Sequence, residues 1–218
     1  IAQAKCATEG NFASLWMHTG PLRIEDKKMS KSLKNFITVK DILKNFHPEV
    51  LRLFFLMTHY RSPISYSQEG LENAKRVLDK FYTIFSDIKI PSKFREDESF
   101  KEKFISVFQD DFNSPKAISL LQAYAGNTEI LEDKAIEKIC TLKVLLNSLG
   151  LLLDKTDNYF KYGEFDLSDK EIEKLINDRN HARENKNFDL ADEIRDQLIK
   201  KGIVLEDQDG KTIWKKKF

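Results

Sequence analysis

Ser67-Gln68-Glu69-Gly70-Leu71-Glu72-Asn73-Ala74-Lys75-Arg76-Val77-Leu78-Asp79-Lys80-Phe81-Tyr82-Thr83-Ile84-Phe85 decides the fold class of this chain. Leu71, Ala74, Val77, Leu78, Phe81, Tyr82 and Phe85 recur at helical spacing, with charged and polar residues between them, and Ser67 stands where a capping hydroxyl is needed. The pattern predicts a helix over 68–87 with one apolar face, which must be buried against further helices.

Those helices follow. After a linker from Ile90-Pro91-Ser92 to Ser99, Phe100, Phe104, Ile105 and Phe108 mark a second helix. Asp110-Asp111-Phe112-Asn113-Ser114-Pro115 combines capping side chains with a proline suited to a first turn, so another helix starts there and ends near Gly126. A long one continues to Gly150, with Ile136, Ile139, Leu142, Leu146 and Leu149 as its stripe. Residues 151–167 show no clear period and read as a linker.

A separate tail begins at Ser168, whose pairing with Glu171 is a capping box for a helix to about Glu184. A second helix, Asp189 to Lys201, closes at Gly202, so the two pack as a hairpin. Ile203-Val204-Leu205 and Thr212-Ile213-Trp214 then flank Asp209-Gly210, a strong hairpin signal, and the chain closes with Lys215-Lys216-Lys217-Phe218. The three lysines suit RNA docking or a merely solubilising end.

Upstream of Ser67 the pattern changes. Phe12, Leu15, Trp16 and Met17 precede a Gly20-Pro21 turn and a short strand at Leu22-Arg23-Ile24, as at the end of an α/β domain. Thr38 with Asp41 reads as a capping box for a short helix, and Pro48 as the first turn of the next. That next helix carries Val50, Leu51, Leu53, Phe54, Phe55, Leu56 and Met57, apolar nearly all round, so burial between layers is expected. Between strand and helices lies Lys28-Met29-Ser30-Lys31-Ser32. Lys27, Lys28, Lys31, Lys34, Lys40 and Lys44 fall within 18 residues whose only acid is Asp41. Two ammonium groups three positions apart, with small hydroxyl residues between them, suit the grip of a polyphosphate; the alternative is a solvated lysine-rich loop.

The 218 residues allow two compact units, and a 41% hydrophobic content argues against disorder. No apolar run approaches the roughly 18 residues of a membrane span. A net charge of +1 confines any nucleic-acid contact to local patches. Cys6 and Cys140 lie far apart and form no C-x-x-C pair, which argues against a disulfide framework and suits a reducing compartment; the cytoplasm is expected. Ile1-Ala2-Gln3-Ala4 reads as the middle of an element, so a piece of a longer polypeptide is expected.

The lysine stretch followed by Leu33, Asn35-Phe36 and Asp41, with His59-Tyr60-Arg61-Ser62-Pro63 and Asp110 to Pro115, resembles the cysteinyl-tRNA synthetases. Ile1-Ala2-Gln3 and Trp16-Met17-His18 upstream sit in the family's order. So do Arg179-Asn180, Ala182-Arg183, Ala191-Asp192, Arg195-Asp196, Gly202 to Asp207 and Trp214 downstream. The likeness covers essentially the whole chain and departs at Lys34, where many members carry Gly. It implies a mainly α chain: the end of a Rossmann-type α/β catalytic domain, then a helical bundle and a small α+β C-terminal domain. On that basis residues 1–47 close the catalytic domain, 48–67 connect and contact the tRNA stem, 68–153 form the bundle, 154–167 link, and 168–218 read the anticodon.

The resemblance further implies a cysteine-tRNA ligase, of which this chain would be the C-terminal half, inactive as a fragment. Its partners would be ATP with Mg2+, L-cysteine and tRNA(Cys), with no membrane and a monomeric state. Zn2+ is expected in the full-length enzyme, with its ligands and the His-x-Gly-His nucleotide motif before Ile1 and none in this segment. By the family pattern Lys31, assisted by Lys28, stabilises charge on the phosphates, and Met29, Ser30 and Ser32 complete the ATP-binding loop, Met29 by packing it down.

Other residues carry paired expectations. Arg61 would meet tRNA phosphate, or else His59-Tyr60-Arg61 would cap a helix C-terminus. Phe188 could stack on a base, and Arg183, Asp192 and Asp207 hydrogen-bond to base edges; the ordinary alternatives are a staple, helix surface and a strand cap. Trp214 is assigned to core. Cys6 reads as a small buried hydrophobe rather than a nucleophile, and His18 as either a nucleotide neighbour or a structural histidine beside Trp16. The competing functions are a non-catalytic tRNA-binding module, and a ligase joining cysteine to a small amine, which would have no evident use for residues 168–218.

Overall fold

The computed structural model describes residues 6–7, 13–24, 27–28, 37–86, 88–126, 132–208 and 211–216. Strand β1 (Leu22–Ile24) pairs antiparallel with β2 (Lys27–Lys28) and parallel with β3 (Ile64–Tyr66), giving the order β2-β1-β3. The parallel pair is joined by a helical crossover through α1 (Val39–Leu43) and α2 (Pro48–Leu56), the connection that parallel strands require. Gly20 sits where this crossover returns: its N–H donates to Tyr60 O at 2.8 Å, and a Cβ there would overlap the backbone of Ser62 and Pro63.

The caps that the sequence announces are present. Thr38 Oγ1 accepts from Asp41 N at 3.1 Å and Asp41 Oδ2 from Thr38 N at 3.3 Å, closing the capping box of α1. Helix α2 starts at Pro48, and its cap is His47, whose Nδ1 accepts from Glu49 N. The expectation that α2 is buried all round needs correction. Val50, Leu51, Leu53 and Phe54 are buried, but Phe55 is 40% exposed, because the bundle covers one side while the other borders a small apolar cavity of about 50 Å³ against β1 and β3.

Helix α3 (Gln68–Ile84) is capped by Ser67 and ends at Phe85, short of residue 87. With α4 (Glu98–Gln109), α5 (Ser114–Gly126) and α6 (Glu132–Ser148) it forms a bundle around Leu71, Leu78, Phe81, Phe104, Leu121 and Leu146. Two stripe positions are shifted. Ile105 and Ile136 are exposed, and Val107, Cys140 and Leu145 lie inside, since Phe104 and Val107 share one helical face and Ile105 points about 100° away. Residues 151–167 are more than a connection: Leu151, Leu152 and Tyr159 are buried in the bundle core, and α7 (Thr156–Phe160) forms there. Their lack of period reflects single anchors rather than a repeating face.

The tail is built as read. The Ser168–Glu171 capping box opens α8 (Asp169–Glu184), Asn187 caps α9 (Phe188–Lys200), and Gly202 takes φ +79° before β4 (Ile203–Gln208). Strand β5 (Lys211–Lys216) pairs antiparallel with β4, Gln208 opposite Lys211, which leaves two residues for the turn; Asp209-Gly210 lie outside the described residues. Ile172, Ile176, Leu198, Ile203, Leu205 and Trp214 form this unit's own core.

Candidate nucleic-acid interface

Lys28, the first residue of the lysine motif, lies in β2 opposite Arg23. Met29, Ser30, Lys31, Ser32 and Lys34 lie outside the described residues. The chain re-enters at Ile37 and passes at once into α1.

His59-Tyr60-Arg61 converge on one residue. Arg61 Nε donates to Asp111 Oδ2 at 2.6 Å and a terminal nitrogen to Oδ1 at 3.0 Å, Tyr60 Oη donates to Oδ1 at 2.6 Å, and His59 Nε2 lies 3.0 Å from the Asp111 carbonyl oxygen. This corrects the helix-capping alternative: α2 ends at Leu56 with Met57 as its cap, and the Arg61 fork is matched to a carboxylate across the bundle. Arg61 and Tyr60, in that order, hold the Asp111 carboxyl below its usual range. Asp111 and Phe112 both have φ +53°, and the contacts from residues 59–61 hold this turn between α4 and α5.

A second convergence lies on the tail. Arg179 and Arg183, one turn apart on α8, both face Asp207 on β4. Arg179 Nη1 and Nη2 donate to its two oxygens at 3.2 and 3.0 Å, Thr212 Oγ1 donates to Oδ1 at 2.7 Å, and Arg183 Nη1 to Oδ2 at 2.8 Å. Arg179 first, then Thr212, drive the Asp207 carboxyl far below the ordinary carboxylate range. The strand-cap alternative for Asp207 is therefore replaced by a four-donor acceptor. Phe188 is 61% exposed at the first turn of α9, and Asp192 is exposed on the same helix. Trp214 is 5% exposed, with Phe165 edge-on at 5.4 Å: it is core.

Cys6 is exposed, against the expectation of a buried hydrophobe. His18 is exposed as well. Sequence reasoning missed Arg179 as a contact in its own right, although its place at the apolar spacing Ile172, Ile176, Arg179 was a signal. It also missed Asp111 as the partner of Arg61, for which a turn sequence 50 residues away gives none.

Between bundle and tail runs a cleft of about 480 Å³, bordered by Thr83, Asp157, Phe160, Lys161, Trp214 and Lys215. Lys161 lies over the Trp214 ring at 4.9 Å and Lys215 over Phe160 at 4.3 Å, so each unit lends a cation to the other's aromatic.

Three family models match the chain in order. The class I (C) tRNA synthetase catalytic domain matches residues 1–76, the DALR domain 103–154 and the cysteinyl-tRNA ligase anticodon binding domain 166–214. The first ends within α3, and the last covers the unit built around Asp207. The chain is similar to the cysteinyl-tRNA synthetases from its first matched residue to its tail. A cysteine-tRNA ligase of Hydrogenovibrio crunogenus is 40% identical over 218 residues, covering 99% of this chain and 47% of the relative. One of Francisella tularensis subsp. novicida is 41% identical over 222 residues, covering 99% and 48%. The chain thus spans about half the length of these synthetases, and its three matches fit a C-terminal half. Among the described residues no helix is long and apolar enough to cross a membrane.

Proposed function

We propose that this chain is the C-terminal half of a cysteine-tRNA ligase, which joins the cysteine carboxylate to ATP and then transfers the cysteinyl group to tRNA(Cys). The observation that carries the reading is the 40% identity extending over 99% of the chain, from catalytic-domain end to anticodon tail, rather than over the lysine stretch alone.

In this reading Lys31, with Lys28 assisting, meets the negative charge that builds on the α-phosphate and the departing pyrophosphate, and Met29, Ser30 and Ser32 complete the ATP-binding loop. Cations fixed against those oxygens act only as charge develops, so their value falls on the activation rate rather than on ATP affinity. Mg2+ bound with ATP would neutralise phosphate charge. Among the described residues no three His, Cys, Asp or Glu side chains converge as a metal site.

The tail takes the anticodon, with Phe188 as a stacking surface and Arg183, Asp192 and Asp207 as hydrogen-bonding groups. Arg61, already forked to Asp111, offers phosphate only the outer edge of its guanidinium. The test is cysteine-dependent ATP-pyrophosphate exchange, with serine as control, by the native polypeptide that carries this chain and by its Lys31→Ala variant. Exchange that requires cysteine and collapses in the variant is expected. Absence of exchange while tRNA(Cys) still binds would replace the ligase with a tRNA-binding module.

A further inference from the structure

Helix α8 buries Ile172, Ile176, Arg179 and Ala182. At the third of these positions the helical spacing calls for an apolar side chain, and an arginine stands there, 6% exposed, in a small unit with few core residues to spare. A buried ion pair is weak grounds for stability, since well-packed apolar residues of similar volume serve as well or better, so a charge retained in an apolar stripe points to a specific task.

The geometry shows what that task would be. Arg179 and Thr212 hold Asp207 from the buried side, occupying both oxygens: Nη1 and Thr212 Oγ1 on Oδ1, Nη2 on Oδ2. Arg179 Nη1 also lies 3.4 Å from Asn180 Oδ1, and Thr212 Oγ1 3.3 Å from the same oxygen, which fixes the inner set. The outer contact is different in kind. Arg183 is half exposed, as is Asp207, and can leave Oδ2 without unseating the carboxylate. The face turned to solvent therefore offers a rotationally fixed acceptor beside an adaptable donor, a pairing that matches a nucleobase edge carrying a donor next to an acceptor.

We propose that Arg179 is a positioning residue for base recognition: it touches no RNA, and it locks the Asp207 carboxylate in the one orientation from which it can discriminate bases. This rests on the reading of the tail as an anticodon reader. A carboxylate free to rotate would still repel or admit RNA, but it would not distinguish base edges, so Arg179 governs specificity and not overall affinity.

The test measures binding of this chain to tRNA(Cys) and to tRNA(Cys) with each anticodon base replaced in turn, at several salt concentrations, for wild type, Arg179→Met and Arg179→Lys. Methionine keeps an unbranched stem in the stripe, and lysine keeps the charge without the fork. Both variants are expected to melt cooperatively and keep the wild-type salt dependence, while preference against one anticodon replacement shrinks about ten- to hundredfold. Wild-type preference in Arg179→Met, or its full return in Arg179→Lys, would overturn the proposal, as would unfolding of both variants, which would make Arg179 a folding residue. A wild-type chain that shows no preference for tRNA(Cys) would instead sink the anticodon reading, and this proposal with it, before any variant is compared.

Discussion

Lys216, on the last strand of the tail, donates from Nζ to Asn45 Oδ1 at 3.3 Å, joining the end of the chain to the segment just after α1. Its stem crosses Gly163 and its ammonium lies 5.4 Å from the Phe165 ring centre, and burial lowers its pKa. The strand of chain beneath it is tied to α1 as well: Tyr162 Oη donates to Leu43 O at 2.9 Å, and Glu164 N to Lys44 O at 3.1 Å. These donors serve carbonyls at the C-terminal end of a five-residue helix, which has few bonds of its own. The tail and the segment leading out of the lysine stretch therefore share one seam.

Gly163 is the tight point of that seam. Its φ of +132° suits glycine, and a Cβ would press on the Lys216 side chain, within 3.0 Å of Cδ and Cε. Gly163→Ala is expected to cost about 1–3 kcal/mol in urea unfolding. In a Lys216→Ala background the steric part disappears and the conformational part stays, so the same change should cost less there. Equal costs in both backgrounds would show that Lys216 does not occupy this space in solution.

Glu49 is the polar anchor of the upper bundle. It is buried, and its carboxylate accepts from Leu152 N at 2.7 Å, Leu153 N at 2.9 Å and Tyr82 Oη at 3.0 Å. Glu49→Gln turns an amide donor toward donors and leaves one of them unsatisfied, for an expected loss of about 1–3 kcal/mol. Denaturant midpoints of Glu49→Gln, Tyr82→Phe and the double variant check this: the double should cost less than the sum, because the hydroxyl and the carboxylate serve one another.

What the sequence made legible was whatever it encodes locally. Thr38 with Asp41, Ser67, Ser168 with Glu171, Gly202 and Asp209-Gly210 each state a cap or a turn within four residues, and the elements they bound fall within a few residues of expectation. The likeness to known ligases then supplied the family. Hidden were pairings between residues far apart in the chain. Arg61 finds Asp111 across 50 positions and Glu49 finds Leu152 across 103, and neither partner carries a mark in its own neighbourhood. The segment 151–167 looked structureless for the same reason: Tyr159 is fixed by Tyr82, stacked at 3.8 Å, and by Asp79, not by a periodic face of its own.

Tyr82 and Tyr159 set an alkaline limit. Burial first, then the neighbouring carboxylates Glu49 and Asp79, push both phenols well above their ordinary value of 10.0. The folded state therefore keeps two protons that the unfolded chain gives up near pH 10, so stability is full below that pH and falls as pH rises beyond it. Spectrophotometric titration should show tyrosinate from these two residues appearing only with unfolding, and Tyr159→Phe should remove part of the alkaline loss. Smooth titration of all 6 tyrosines in folded protein would contradict the burial.

Asp207 sets the acid behaviour of the tail with the opposite sign. Its folded pKa is depressed by Arg179, Thr212 and Arg183, so the folded state remains ionised where the unfolded chain takes up a proton near 3.8. The stabilisation is present above that pH and is lost as pH falls through the folded value. Its side chain is 43% exposed, so solvent screens the interaction and the effect is modest. Asp41 and Asp111 are depressed in the same direction, and acid will weaken the whole chain for that reason. The comparison of wild type with Asp207→Asn isolates one group from that background. Followed by fluorescence of Trp214 in the tail core, the variant should melt below wild type at pH 7, and the gap should close progressively below about pH 4. A gap that stays constant down to pH 2.5 would mean that the loss does not come from ionisation and that the charge of Asp207 contributes nothing to holding α8 against β4.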